Sequence, residues 1–305
     1  MRPPASKTRA HEWLDYYGRF PYFTPAAVRD GCYPRIMEHE GTAEKSIVLV
    51  HGLTDSPYFM TAIGDYFFHE LAHNVYLPLL HCHGLKDPQG MEDVSLREWK
   101  ANVSFAVEAA RSKAKQVSIG GLSTGGTLSF YTALTNRDVT GTLYLFSAAL
   151  DLAGGFIGQL KERLARFPGM ADFVELFERE KTLIGPNPYR YDRVDRDAAR
   201  ELAKLMKETD ELTRRFDKKS PIAKQVFAAH SESDDVASIK GIEDVEKVTA
   251  PGRFTFYRIP KAARVSHASL VLKDPIDSSD GKRLEEANPR FLNMLESIAQ
   301  LTQLN

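Results

Sequence analysis

The pentapeptide Gly121-Leu122-Ser123-Thr124-Gly125 constrains this chain more than any other feature. It follows the short β-branched run Gln116–Gly120 directly and leads into an apolar helical run over Thr127–Leu134. A strand that enters a helix through so tight a turn forces the central serine into a strained backbone conformation. Glycines two positions to either side remove the Cβ atoms that would strike neighbouring chain. The serine oxygen then stands clear of the sheet at a helix N-terminus. Alone, Gly-x-Ser-x-Gly is a weak motif; between a predicted strand and a predicted helix it marks Ser123 as a candidate nucleophile.

The rest of the chain repeats the strand-then-helix rhythm. Ser46–Val50 is a short apolar run ending at His51-Gly52. Ser56-Pro57 has the form of an N-cap followed by a first-turn proline, and a helix is expected from there to about Ala72. Asn74–Leu79 reads as the next strand. Trp99, Val103, Val107 and Ala110 form one apolar helical stripe. Gly141–Ser147, Lys224–Ala229 and Arg253–Ile259 continue the strands. Asn288-Pro289 opens a last helix, with Phe291, Leu292, Leu295, Ile298 and Ala299 expected on its buried face. Such alternation implies right-handed crossovers and a mainly parallel sheet, so the fold class is α/β.

Residues 152–220 interrupt that rhythm. Phe156, Leu160, Leu164 and Phe167 make one helical stripe; Leu202, Leu205, Leu212 and Phe216 make a second, with the loop signal Gly185-Pro186-Asn187-Pro188 between them. The expected organisation is an aromatic-rich N-terminal extension over 1–31, a core built from 32–151 and 221–305, and a helical cap over 152–220. The cap would sit over the C-terminal edge of the sheet.

Composition narrows the function classes. With 40 Lys and Arg against 41 Asp and Glu, the formal charge is −1, so nothing in bulk electrostatics draws the chain to nucleic acid or an anionic surface. No run approaches the roughly 18 apolar residues of a membrane span, and no apolar stretch follows the basic first residues, as a secretory signal would require. Two cysteines, Cys32 and Cys82, make no disulfide framework, and the expected location is cytoplasmic.

Taken together, strand-His51-Gly52-Leu53, strand-Leu79-Leu80-His81-Cys82-His83-Gly84, Gly-Leu-Ser-Thr-Gly-Gly and a late Asp and His resemble the α/β-hydrolase superfamily. The closest look is to bacterial carboxylesterases and monoacylglycerol-lipase-like enzymes, which shade into the serine aminopeptidase group. The resemblance spans roughly residues 45–300. It implies the α/β-hydrolase fold, a mainly parallel central sheet flanked by helices with a helical cap insertion. It also implies a catalytic triad in the order Ser, Asp or Glu, His.

His267 follows the Arg253–Ile259 strand and is the only histidine after His230, which makes it the candidate base. The acid should follow the preceding strand, where Glu232, Asp234 and Asp235 stand. The family pattern aligns to Asp234, with Asp235, Glu232 and Asp151 as rivals. By the same resemblance, backbone N–H groups of Leu53 and Thr124 would form the oxyanion hole. His51 reads as a structural hydrogen-bonder beneath that loop. His81-Cys82-His83 suits one metal poorly, because alternate residues of an extended segment face opposite ways. His83 is expected to be structural, and Cys82 departs from the family's usual glycine.

The implied activity is hydrolysis of a small-molecule carboxylic ester through an acyl-enzyme on Ser123, with no cofactor and no metal. The expected partner is that ester, with no nucleic acid and no membrane span, and with peripheral lipid contact allowed. An aminopeptidase-like amide hydrolase is the first alternative, drawing on acidic cap residues such as Glu175, Glu178 and Glu180. A non-catalytic ligand-binding relative is the second.

Overall fold

A computed structural model describes residues 19–20, 22–86, 91–152 and 186–303. Among the described residues, seven strands make the central sheet: β1 (Arg35–Met37), β2 (Ala43–Val50), β3 (Asn74–Leu77), β4 (Ala114–Leu122), β5 (Leu143–Phe146), β6 (Val226–Ser231) and β7 (Phe254–Ile259). Their order is β1-β3-β2-β4-β5-β6-β7, and every pairing is parallel except β1 with β3. The expected α/β-hydrolase architecture is therefore the observed one. β1 is an edge strand that the sequence reading passed over, since three residues carry too little pattern to stand out.

Both faces of the sheet are covered, which is why its strands are continuously apolar rather than alternating. In β2, Val48 and Val50 point into one core and Ile47 and Leu49 into the other. Helices α2 (Leu96–Lys113) and α3 (Thr124–Thr135) cover the first face. There Trp99, Val103, Val107 and Ala110 of α2 are fully buried. Helix α1 (Thr61–His69) and a C-terminal helix pack the second face. The expected single helix after Ser56 is instead a 3-10 turn at Pro57–Met60 followed by α1, and the Ser56 side chain caps nothing.

Helix α4 (Arg196–Thr213) lies between β5 and β6 in the chain. Leu202, Leu205 and Leu212 are buried along it, and Glu201 accepts the Leu96 N–H at 2.9 Å, tying α4 to the start of α2. The stripe Phe156–Phe167 and the acidic trio Glu175, Glu178 and Glu180 lie outside the described residues. Helix α5 (Ile239–Val248) follows β6, and α6 (Phe291–Gln303) ends the description. In α6, Phe291, Met294, Leu295 and Ile298 are buried, whereas Leu292 is 66% exposed. The expectation for Leu292 was wrong, because Leu295 and Ile298 set the helical face and a residue three before Leu295 but one after Phe291 falls at its margin.

Candidate active site

Ser123 lies between β4 and α3 with φ 54° and ψ −121°, a conformation that side-chain-bearing residues rarely adopt. The turn is pinned on all sides: Ser123 N–H donates to Phe146 O at 3.0 Å, and Ser123 O accepts from Thr127 and Ala149 N–H, each at 3.1 Å. A Cβ on Gly121 would stand 2.5 Å from Val50 O, and one on Gly125 would collide with Val50 O and His51 O. The two glycines thus let β4 and α3 close against β2. Thr124 is the first residue of α3, where helix N–H groups have no intrahelical acceptor.

At the same C-terminal edge of the sheet, the loops after β6 and β7 bring Asp234 and His267 together. His267 Nδ1 lies 2.8 Å from Asp234 Oδ2, and the Asp234 side chain is wholly buried. The other carboxylate oxygen accepts N–H bonds from Val236 and Ala237, both at 2.9 Å. Burial would favour the neutral acid. The His267 charge and hydrogen bond, His230 and the Ala237 N–H outweigh it and hold Asp234 at about 2. For His267, burial would lower the pKa, but Asp234, then Asp55 and Asp235, raise it. His267 Nε2 is buried and takes no hydrogen bond among the described residues.

The rival acids stand elsewhere. Asp235 is exposed. Glu232 accepts the Lys261 N–H and lies 3.7 Å from Arg258. Asp151 Oδ1 accepts the neighbouring Leu152 N–H.

Leu53 sits on a loop braced by histidines. His51 Nε2 accepts the Leu80 N–H at 3.1 Å and its Nδ1 lies 2.9 Å from Gly52 O. Burial, then the neighbouring His83, push the His51 pKa far down, so its imidazole is neutral. His83 approaches the Leu53 carbonyl through Nε2, and its Nδ1 lies 2.9 Å from His81 O. Burial lowers its pKa to about 4. Cys82 adopts φ 61°, and burial pushes its thiol up to about 11, which keeps it protonated and poorly nucleophilic.

The sequence reading missed a group of charges beside these residues. Asp55, on the loop after β2, is buried, and its Oδ2 fills the space where a Cβ on Gly52 would be. That same position is 3.4 Å from the Ser123 Cβ. Arg190, ahead of helix α4, lies 2.5 Å from Glu285, with both side chains 10% exposed. Glu285 belongs to a hairpin of β8 (Ile276–Asp277) and β9 (Arg283–Glu285). The only local signal was an acidic residue close behind His51-Gly52.

Fold and motif define a class: the model of the alpha/beta hydrolase family matches residues 47–277, and the chain belongs to that family. Among individual relatives, it is 30% identical over 115 residues to the thermostable monoacylglycerol lipase of Bacillus sp. (strain H-257). That match spans 37% of this chain and 45% of the lipase, less than half its length. Solved structures share the fold at lower identity. The Paleococcus ferrophilus monoacylglycerol lipase aligns over 88% of this chain and 97% of its own, at 17% identity and TM-score 0.59. A structure from the work on LipS and LipT, two metagenome-derived lipolytic enzymes, aligns over 91% and 100%, at 15% identity and TM-score 0.66.

Proposed function

We propose that the chain is a serine hydrolase that cleaves carboxylic esters through an acyl-enzyme on Ser123. The observation that carries this reading is the buried Asp234–His267 pair at 2.8 Å, with Nε2 left unengaged, at the same sheet edge as a strained serine on an elbow. His267 takes the Ser123 proton as the oxygen attacks the ester carbonyl. Asp234 fixes the imidazole tautomer and stabilises the imidazolium. The Leu53 and Thr124 N–H groups receive the oxyanion, each contributing about 3 kcal/mol to the transition state. His267 then protonates the leaving alcohol and activates water for deacylation. The lipase relatives favour an acyl ester over an amide, and the insertion at 152–220 is the segment that selects the acyl group.

The test uses a fluorophosphonate probe and p-nitrophenyl esters from acetyl to palmitoyl, alongside aminoacyl amides. Wild type is expected to label and to turn over esters, and Ser123→Ala to do neither. Equal labelling of both proteins refutes the reading, and amide turnover above ester turnover replaces it with the aminopeptidase one.

A further inference from the structure

The run His81-Cys82-His83 takes no part in the chemistry proposed above, yet His83 touches the loop that carries Leu53. His83 is wholly buried, and each ring nitrogen faces a carbonyl oxygen: Nδ1 lies 2.9 Å from His81 O, and Nε2 meets Leu53 O. Burial holds its pKa down at about 4, so at pH 7 the ring carries one proton and donates once. The two carbonyls differ in what else they hold. His81 O already accepts the Trp99 indole N–H at 3.2 Å, whereas Leu53 O takes no other hydrogen bond among the described residues. A sole donor gains Leu53 O more than a second donor gains His81 O, so the proton belongs on Nε2.

His51 carries the opposite tautomer. Its Nε2 accepts the Leu80 N–H at 3.1 Å, which leaves the proton on Nδ1, 2.9 Å from Gly52 O. Gly52 O and the Leu53 N–H belong to one peptide unit, and Leu53 O belongs to the next. The two imidazoles, with ring centroids 4.9 Å apart, thus hold both of the peptide planes that meet at the Leu53 Cα. Once those planes are fixed, so is the direction of the Leu53 N–H. The histidine segment is in turn anchored to α2, where Asn102 Oδ1 accepts the His81 N–H at 2.8 Å.

We propose that His83 is a positioning residue for the oxyanion hole, donating a hydrogen bond from Nε2 to Leu53 O and so aiming the Leu53 N–H at the developing charge. The inference rests on the reading of Leu53 as an oxyanion donor. Such donors stabilise the transition state because they are aimed before the reaction starts, so a loop that drifts loses rate rather than substrate binding.

Two measurements test this. In 15N-histidine-labelled wild type at pH 7, with the His83 signals identified by their loss in His83→Gln, NMR is expected to find Nε2 protonated and Nδ1 bare. In ester hydrolysis, His83→Asn, whose amide reaches only as far as Nδ1, is expected to lower kcat about 10- to 100-fold, with KM within about twofold of wild type. His83→Gln, whose longer amide can place an N–H near the Nε2 position, should bring kcat back to within about threefold of wild type. A histidine that only braces the fold lowers Tm in both variants and leaves kcat of the folded protein unchanged. That outcome overturns the proposal, as does an unprotonated Nε2. Should thermal melting show His83→Asn to be unfolded, the wild-type tautomer decides by itself. Absence of ester turnover in wild type defeats the proposed function and the oxyanion role with it. Normal wild-type turnover with unaltered kcat in His83→Asn defeats this inference alone.

Discussion

Asp234 has its acceptor capacity filled on both sides: one oxygen meets His267 and the other takes two backbone N–H groups. An amide at this position keeps the shape but offers an N–H where His267 Nδ1 needs an acceptor, which turns the imidazole to the wrong tautomer. Asp234→Asn is therefore expected to lower kcat for p-nitrophenyl butyrate about 10⁴-fold, with Asp235→Asn, on an exposed side chain, close to wild type. If Asp235→Asn is the inactive variant, the acid has been assigned one residue early. The pair also sets a pH dependence. A base must be neutral, and His267 is raised above the ordinary imidazole value of 6.5, so the acid limb of kcat/KM should lie above pH 6.5. The linkage signs agree. The depressed Asp234 stabilises the fold above its unfolded value of 3.8, and that contribution is lost as pH falls toward about 2. The raised His267 stabilises the fold below pH 6.5, and that contribution is lost as pH climbs through its folded value. Urea unfolding at pH 5.5 and pH 8 should accordingly show the larger stability at pH 5.5 for this pair, with the difference reduced in Asp234→Asn. Sequence order was informative for residues that a single loop or turn presents. Arg190 and Glu285 meet from segments far apart in the chain, and no local pattern announces such a meeting.

At the scale of elements, the elbow was legible because its cause is local. The steric demand of a tight strand-to-helix turn falls on residues within two positions of Ser123, and the glycines record it. That demand carries a cost in the folded state. A residue at φ 54° and ψ −121° is strained by about 1–3 kcal/mol, and glycine there escapes most of it. Ser123→Gly is thus expected to raise Tm by about 2 °C while abolishing turnover, as differential scanning calorimetry and the ester assay would show. A Tm below wild type would mean that the Ser123 side chain contributes more to packing than its backbone loses to strain. The terminal helix was less legible. The five apolar residues Phe291, Leu292, Leu295, Ile298 and Ala299 all looked core-facing, and only the packing of α6 against β6 and β7 separates them. Leu295→Ala removes a buried side chain and should cost about 3 kcal/mol in urea unfolding. Leu292→Ala, on the exposed side, should stay within about 0.5 kcal/mol of wild type.

For the molecule as a whole, the parallel sheet brings the candidate site residues to one edge. The parallel order follows from strands alternating with helices, and it brings the loops after β2, β4, β6 and β7 to a common rim. The edge strand β1 and the β8–β9 hairpin were not legible, since two- and three-residue strands have no periodicity to read. Between β5 and β6, the short stretch Asn187–Tyr191 packs against the loops of this rim. Tyr189 stacks on Tyr58 with ring centroids 3.4 Å apart, and Arg29 donates to Arg190 O at 2.9 Å. The Tyr191 hydroxyl donates to Cys82 O at 2.9 Å and accepts the Leu85 N–H at 3.0 Å. Tyr191 is 2% exposed, so removing its hydroxyl strands two backbone groups away from water. Tyr191→Phe should cost about 1–3 kcal/mol in urea unfolding at unchanged m. The Tyr191 N–H also holds Thr54 O, beside the candidate oxyanion residue Leu53. If this stretch positions that loop, Tyr191→Phe lowers kcat as well as stability, whereas a purely structural clamp lowers stability and leaves kcat where it was. Measuring both on one preparation distinguishes a tether that only holds Asn187–Tyr191 in place from one that also aligns the loop it crosses.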